Sequence, residues 1–66
     1  MSNLDMADIH DGDVVEWEGQ KLTILSIRPR GSLFRIKGQF TLGGLTFPVE
    51  LWRGGYDKMY VVKYSR

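Results

Sequence analysis

The 66-residue sequence contains no cysteine and a single histidine, His10. Neither a disulfide nor a thiolate–zinc site can therefore stabilise the fold, and the lack of cysteine suits a reducing cytoplasm. The serines have no evident base partner in the sequence, so no nucleophile–base pair can be assembled from it. We expect a protein that is not an enzyme, has no catalytic residues and uses no cofactor.

Long hydrophobic runs are also missing. No apolar stretch approaches the roughly 18 residues that cross a membrane, and the first dozen residues lack the basic and apolar regions of a signal peptide. We therefore expect no membrane association and a cytoplasmic location. A chain of this length forms one small domain, which buries only about 60% of its surface on folding and is marginally stable.

Basic residues are missing from the first 20 positions, where six acidic residues lie. Residues 21–66 carry nine basic and two acidic residues, a net charge of +7. This asymmetry indicates an acidic arm on a basic body, although uneven scatter of solvated charge explains it as well. Ser2 and Asp5 have the spacing that caps a short helical turn. We therefore interpret residues 1–11 as an acidic segment that is loose or forms one helical turn.

The stretch from Asp8 to Asp13 superficially resembles a metal-binding loop. It lacks the ligand spacing and the distal glutamate of an EF-hand loop, and one histidine is too few for a closed zinc site. We interpret the aspartates as turn residues that precede a strand, and we predict no metal site.

The clearest pattern lies on both sides of Gly43-Gly44, where apolar and polar residues alternate. Such alternation around two glycines is typical of a β-hairpin with a two-residue turn, and this turn fixes the register. Phe40 should face Phe47 on an apolar side, and Arg35 should face Trp52 on a polar side. The predicted core comprises Ile36, Phe40, Phe47, Val49 and Leu51, opposed by Val15, Leu22 and Ile24.

Pro48 lies in the second strand of this hairpin. The register turns its nitrogen away from the first strand, so the proline costs no hydrogen bond within the hairpin but cannot donate to a further strand. We therefore predict that this strand is an edge of the sheet near Pro48. The same register places Lys37 opposite Glu50, an oppositely charged cross-strand pair.

The rest of the chain adds three strands. A first strand over Asp13–Trp17 is joined by a tight turn at Glu18-Gly19 to a second strand over Gln20–Pro29. The second strand changes its apolar phase at Leu25, which predicts a bend or bulge. The remaining predicted segments are a turn over Arg28–Ser32, a loop or one 3₁₀ turn over Arg53–Lys58, and a final strand over Met59–Tyr64.

Five short strands, tight turns, a bent second strand and a short crossover before the last strand resemble the SH3-like small barrel. The five-stranded OB barrel is the main alternative, but it usually carries a helix between its third and fourth strands, for which Gly43-Gly44 leaves no room. We predict an all-β fold: a small five-stranded SH3-like barrel over residues 12–66, preceded by the short irregular segment 1–11. This resemblance alone says little about function.

The polar side of the hairpin combines basic and aromatic residues. Basic groups neutralise phosphates and an indole stacks on bases, a combination typical of proteins that bind single-stranded nucleic acid. The plainer interpretation is a solvated sheet face on which Trp52 shields the stem of Arg35 and Lys37 pairs with Glu50. The predicted binding surface consists of Arg28, Arg30, Arg35, Lys37, Trp52 and Arg53.

Large amphipathic aromatic residues are numerous for a domain that can bury only a few of them: Trp17, Trp52, Tyr56, Tyr60 and Tyr64. Trp, Tyr and Arg dominate the binding hot spots of protein interfaces. We expect a small non-enzymatic intracellular module that binds a protein through this basic, aromatic face, as an adaptor, an inhibitor or a phage-type accessory protein. A nucleic-acid-binding SH3-like barrel is the alternative, and a homo-oligomer in which the acidic arm docks on a second copy is a third.

Overall fold

The computed structural model describes residues 2–65, which form one antiparallel sheet of six strands in the order β1-β6-β2-β3-β4-β5. The all-β prediction is confirmed, whereas the prediction of five strands is wrong by one. The sheet does not close, so β1 and β5 are its two edges. The elements are β1 (Ser2–Asp5), a 3₁₀ turn (Met6–Asp8), β2 (Val14–Trp17), β3 (Gln20–Arg30), β4 (Leu33–Leu42), β5 (Leu45–Gly54) and β6 (Lys58–Lys63).

The β4–β5 hairpin has the predicted register. Phe40 pairs with Phe47, and Arg35 pairs with Trp52. Gly43 and Gly44 form the turn with φ angles of 61° and 80°, a conformation that glycine adopts without steric cost. Because β5 is an edge of the sheet, the prediction for Pro48 is also confirmed.

The predicted irregularity in β3 is a bulge at Leu25. The register of β3 against β4 shifts between Ile24 and Ser26, so Leu25 is the extra residue. Leu25 is 52% exposed, whereas Ile24 and Ile27 on either side are buried. The bulge therefore keeps two buried isoleucines on one side of the sheet and turns a leucine outward.

The turn predicted over Arg28–Ser32 is shorter than expected. Arg28, Pro29 and Arg30 continue β3 and pair with β4, which leaves Gly31 and Ser32 as the turn. Gly31 has a φ angle of 62°. The proline is tolerated because Arg30 and Leu33, which flank the turn, form the hydrogen-bonded pair, so the nitrogen of Pro29 points away from β4.

The N-terminal segment contains a strand that the sequence did not predict. Ser2–Asp5 pairs with β6, from Ser2 opposite Val61 to Asp5 opposite Lys58. The helical turn predicted with Ser2 and Asp5 as its cap does not form at that position; a 3₁₀ turn follows the strand over Met6–Asp8, with no side-chain cap. Met6 and Ile9 are buried in the core. Residue 1 of the predicted segment 1–11, and residue 66 of the predicted barrel, lie outside the described residues.

The sheet is strongly curled. Gly54 ends β5 and Lys58 begins β6, although β2, β3 and β4 lie between these strands in the sheet. Four steps between strands would hold them roughly 19 Å apart in a flat sheet, whereas four residues span at most about 14 Å. The sheet therefore bends towards the side that holds the core, which we call the inner side.

The core on the inner side differs from the predicted core along the edge strand and at the hairpin end. Val49 and Leu51 are only partly buried, because β5 has a neighbouring strand on one side only. Ile36 is buried as predicted, but Phe47 is 39% exposed and Phe40 is only partly buried. The reason is that β3 pairs with β4 only as far as Gln39, so the last part of the hairpin extends beyond its neighbours. The buried residues are Met6, Ile9, Val15, Leu22, Ile24, Ile27, Ile36, Met59 and Val61.

Asp13 is the one buried charged residue among those described. Its carboxylate accepts hydrogen bonds from the backbone N–H groups of His10 (3.0 Å) and Ser65 (2.8 Å), so it ties the turn before β2 to the residues after β6. Within residues 2–65, no three His, Cys, Asp or Glu side chains are grouped as metal ligands. The same part of the chain contains no helix of the length and apolarity needed to span a membrane.

Candidate binding face

Five of the six predicted binding residues lie on one side of β3, β4 and β5. Ile27 and Ile36 pair on the inner side, so the next pair, Arg28 with Arg35, projects to the opposite side. Trp52 is paired with Arg35 and projects the same way. We call this side of the three strands the outer face; its predicted members are Arg28, Arg30, Arg35, Lys37 and Trp52.

Arg53 does not share the outer face. It pairs with Phe34, and alternation along β5 turns it to the side opposite Trp52. Its Nη1 donates a hydrogen bond to the carbonyl oxygen of Trp52 at 3.0 Å. Arg53 was predicted as a binding residue because it follows Trp52 in the sequence. Successive residues of a strand project to opposite sides, however, so Arg53 is separated from the other five.

Arg35, Glu50 and Trp52 form a compact group at the centre of the outer face. The Arg35 Nε and Nη2 atoms each lie 2.7 Å from Glu50 Oε2. The guanidinium carbon lies 5.9 Å from the centre of the Trp52 ring, within the range of a cation–π contact. Glu50 therefore pairs with Arg35 instead of Lys37, and within residues 2–65 Lys37 has no ion-pair partner.

Arg28 is held by the acidic segment of its own chain. Its Nη1 and Nη2 atoms donate to Asp11 Oδ1 and Oδ2 at 2.9 and 2.8 Å, and Asp11 Oδ1 also accepts the Ile27 N–H at 3.0 Å. The hydrogen bonds from Arg28 and Ile27 lower the pKa of Asp11, and the carboxylate raises the pKa of Arg28. The acidic segment thus makes ion pairs with two separate basic residues of its own chain, Arg28 on β3 and, through Asp5, Lys58 on β6 (2.7 Å).

Exposed apolar groups accompany these charges. Trp52 is 44% exposed, and the bulge residue Leu25 projects into solvent near the other end of the face. An open cavity of about 440 Å³ lies between the bulge and β5, lined by Leu25, Lys37, Gly38, Pro48, Val49 and Glu50. Sequence reasoning missed Leu25 as a surface residue, although the phase change at Leu25 was the signal that located the bulge.

The outer face can therefore offer apolar contact, an aromatic ring and a small number of free cations. Arg28 and Arg35 are already neutralised by carboxylates, whereas Arg30 and Lys37 have no ion pair within the described residues. Such a face suits a partner surface that is partly apolar and weakly acidic.

Comparison with known proteins does not assign a function to the outer face. The sequence matches no protein-family model, and no curated protein and no solved structure is significantly similar to the chain.

Proposed function

We propose that the chain is a small non-enzymatic module that binds a protein through its outer face. The observation that carries this proposal is the neutralised Arg35 in contact with the exposed Trp52, on a face that also exposes Leu25. A nucleic-acid site needs free cations for phosphates, but two of the four basic residues predicted for the outer face, Arg28 and Arg35, already have carboxylate partners. An aromatic anchor with a rim of balanced charge is typical of protein interfaces.

We also infer an SH3-like arrangement for β2 to β6. Its support is the meander of β2, β3, β4 and β5, followed by a three-residue connection that returns from the edge strand to β6 beside β2. In such a barrel the outer face of the middle strands is accessible, which agrees with a role as an adaptor or as an inhibitor of a larger protein.

The proposal is tested by capture from a nuclease-treated native lysate with the chain immobilised. Trp52→Ala removes the anchor, and Arg53→Ala is the matched control because the next residue projects to the other side. We expect one protein to be retained by the wild type and by Arg53→Ala, and to be lost with Trp52→Ala. Equal capture by all three forms would contradict the proposal.

Nucleic-acid binding is the second candidate, supported by Arg30, Lys37 and the exposed Trp52. Titration with a labelled single-stranded oligonucleotide at several salt concentrations distinguishes the two. If this candidate holds, Trp52→Ala removes roughly 1–3 kcal/mol of stacking, and losing a phosphate contact at Lys37 flattens the salt dependence by about one unit. We expect instead weak binding with no dependence on Trp52.

A further inference from the structure

We propose that the end of the β4–β5 hairpin, residues 40–47, is a self-association surface that stacks on the same residues of a second copy of this chain. We call these residues the hairpin tip. On its inner side Leu42 is 56% and Leu45 64% exposed, and Phe47 lies beside them. This surface lies on the side of the sheet opposite to the outer face, so the inference is independent of the proposed function.

The apolar side of the hairpin tip is a continuation of the core. The rings of Phe40 and Phe47 are stacked with centroids 5.4 Å apart, and Phe40 lies 5.8 Å from Trp17. This row of three rings runs from β2 across the inner side of the sheet to the edge strand. No element within the described residues covers the apolar side of the hairpin tip, so this side is accessible to a partner.

The charge pattern favours a second copy as the occupant. No charged residue occurs between Gly38 and Val49, although about a quarter of the chain is charged. A two-fold interface places identical patches against each other, so any charge near the axis would meet its own copy and repel it. An uncharged patch avoids this repulsion.

The shape of the patch favours a face-to-face contact. The other side of the tip is polar, with Thr41 Oγ1 and Thr46 Oγ1 3.2 Å apart in a hydrogen bond. A tip that is apolar on one side only suits stacking against a flat surface, whereas insertion into lipid would desolvate both sides. Two such hairpins packed about 10 Å apart form a small β-sandwich in which the leucines and phenylalanines interdigitate.

The exposed apolar area sets the strength of the contact. The three side chains expose on the order of 300 Å², the size at which patches on small proteins are often functional. Two such patches bury roughly 600 Å² in total, below the roughly 1,200 Å² of stable specific interfaces, so the contact belongs to the weak, transient class. We therefore expect a reversible dimer whose population rises with concentration.

Sedimentation velocity from about 1 μM to about 1 mM tests this inference. The double variant Leu42→Ser/Leu45→Ser removes the patch. Leu25→Ser is the control, because Leu25 is a leucine of similar exposure on the outer face. We expect the dimer dissociation constant to rise at least about tenfold in the double variant and to be unchanged in the control. A wild type that is monomeric at every concentration, or a dimer that the double variant leaves intact, overturns the inference.

A second measurement locates the contact without altering the patch. Since the sequence has no cysteine, a single spin label can be placed at Thr46→Cys in the tip or at Ser32→Cys in the turn between β3 and β4. At a concentration that populates the dimer, we expect a shorter label-to-label distance from the tip than from the turn. The reverse order would show that the copies meet elsewhere.

Discussion

Asp11 holds Arg28 through two parallel hydrogen bonds, one from each terminal nitrogen of the guanidinium to one carboxylate oxygen. This fork geometry is the strong form of the Arg–carboxylate pair. It joins the turn before β2 to the end of β3, so the acidic segment contributes to the fold and at the same time covers a predicted binding residue.

The Asp11–Arg28 pair predicts a pH dependence of stability. The pKa of Asp11 is lowered in the folded chain from an ordinary value of 3.8, chiefly by the Arg28 hydrogen bond. A lowered pKa gives a contribution that is complete above the unfolded value and is lost as the pH falls through the folded value. In thermal melts we expect the advantage of the wild type over Asp11→Asn to be constant from neutral pH down to about pH 5, and to shrink below about pH 4. Glu16→Gln, which changes an exposed carboxylate outside the described ion pairs, is the control. A stability difference between the wild type and Asp11→Asn that stays constant down to pH 2 would contradict the Asp11–Arg28 ion pair.

The same pair predicts an effect on binding. If Arg28 contacts an acidic partner, Asp11 competes for it, so Asp11→Asn should strengthen binding and Arg28→Ala should weaken it. Deletion of residues 1–11 is not a suitable test, because Met6 and Ile9 are core residues. Titration calorimetry with the captured protein measures both variants. Weaker binding by a folded Asp11→Asn variant would show that the carboxylate does not compete.

Gly38 predicts a steric effect in the middle of β4. A methyl group at Gly38 would lie 2.8 Å from the carbonyl oxygen of Thr23 and 3.0 Å from Leu22 Cδ1. Because a backbone atom cannot move aside like a flexible side chain, we expect Gly38→Ala to lower the free energy of unfolding by about 1–3 kcal/mol. Gly54→Ala is the matched control, since its nearest contact would be an ordinary 3.7 Å. Denaturant unfolding curves compare the two, and equal stabilities would refute the close approach.

The β2–β3 turn predicts a stabilising substitution. Glu18 has a φ angle of 49°, the left-handed region that side chains with a Cβ atom seldom adopt. Asparagine tolerates this conformation and precedes glycine in the favoured hairpin turn. We expect Glu18→Asn to raise the free energy of unfolding by about 0.5–1 kcal/mol. Glu16→Asn, in the neighbouring strand, should give no gain, and a gain from both would point to a charge effect.

The core and the hairpin tip should respond differently to truncation. Ile36 is fully buried, so Ile36→Ala should cost about 2–5 kcal/mol and unfold a large fraction of so small a domain. Phe47 contributes mainly its stacked contact with Phe40, so Phe47→Ala should cost about 1–2 kcal/mol. Chemical denaturation compares the free energies of unfolding of the two variants. A larger loss of stability in Phe47→Ala than in Ile36→Ala would mean that the hairpin tip is covered.

The sequence predicted what depends on short-range rules. Gly43-Gly44 fixes the register of β4 and β5, and the alternation then assigns Arg35 and Trp52 to one side. The phase change at Leu25 located the bulge for the same reason. These features depend on turn geometry and on the period of a strand, which are visible within a few residues.

The sequence could not predict what depends on distant partners. Ser2–Asp5 has little intrinsic strand preference and forms a strand because the edge of β6 is available to it. The exposure of Phe47 depends on where β3 stops pairing with β4. Glu50 lies opposite Lys37 in the backbone register, yet it forms its ion pair with Arg35. This pairing depends on the reach of the side chains, which the register does not determine.

The strand order determines which strand pairs form first and which form last during folding. Two-residue turns at positions 18–19, 31–32 and 43–44 join β2 to β5, so these four strands assemble through neighbouring segments. Joining β1 to β6 requires Ser2 to meet Val61, the largest loop closure among the strand pairings. Contacts of this kind form late, and a four-residue edge strand opens at the lowest free energy. The backbone amides between β1 and β6 will therefore exchange with solvent deuterium before those of β3 and β4, and a partly opened chain will expose the edge of β6 while its central meander stays intact.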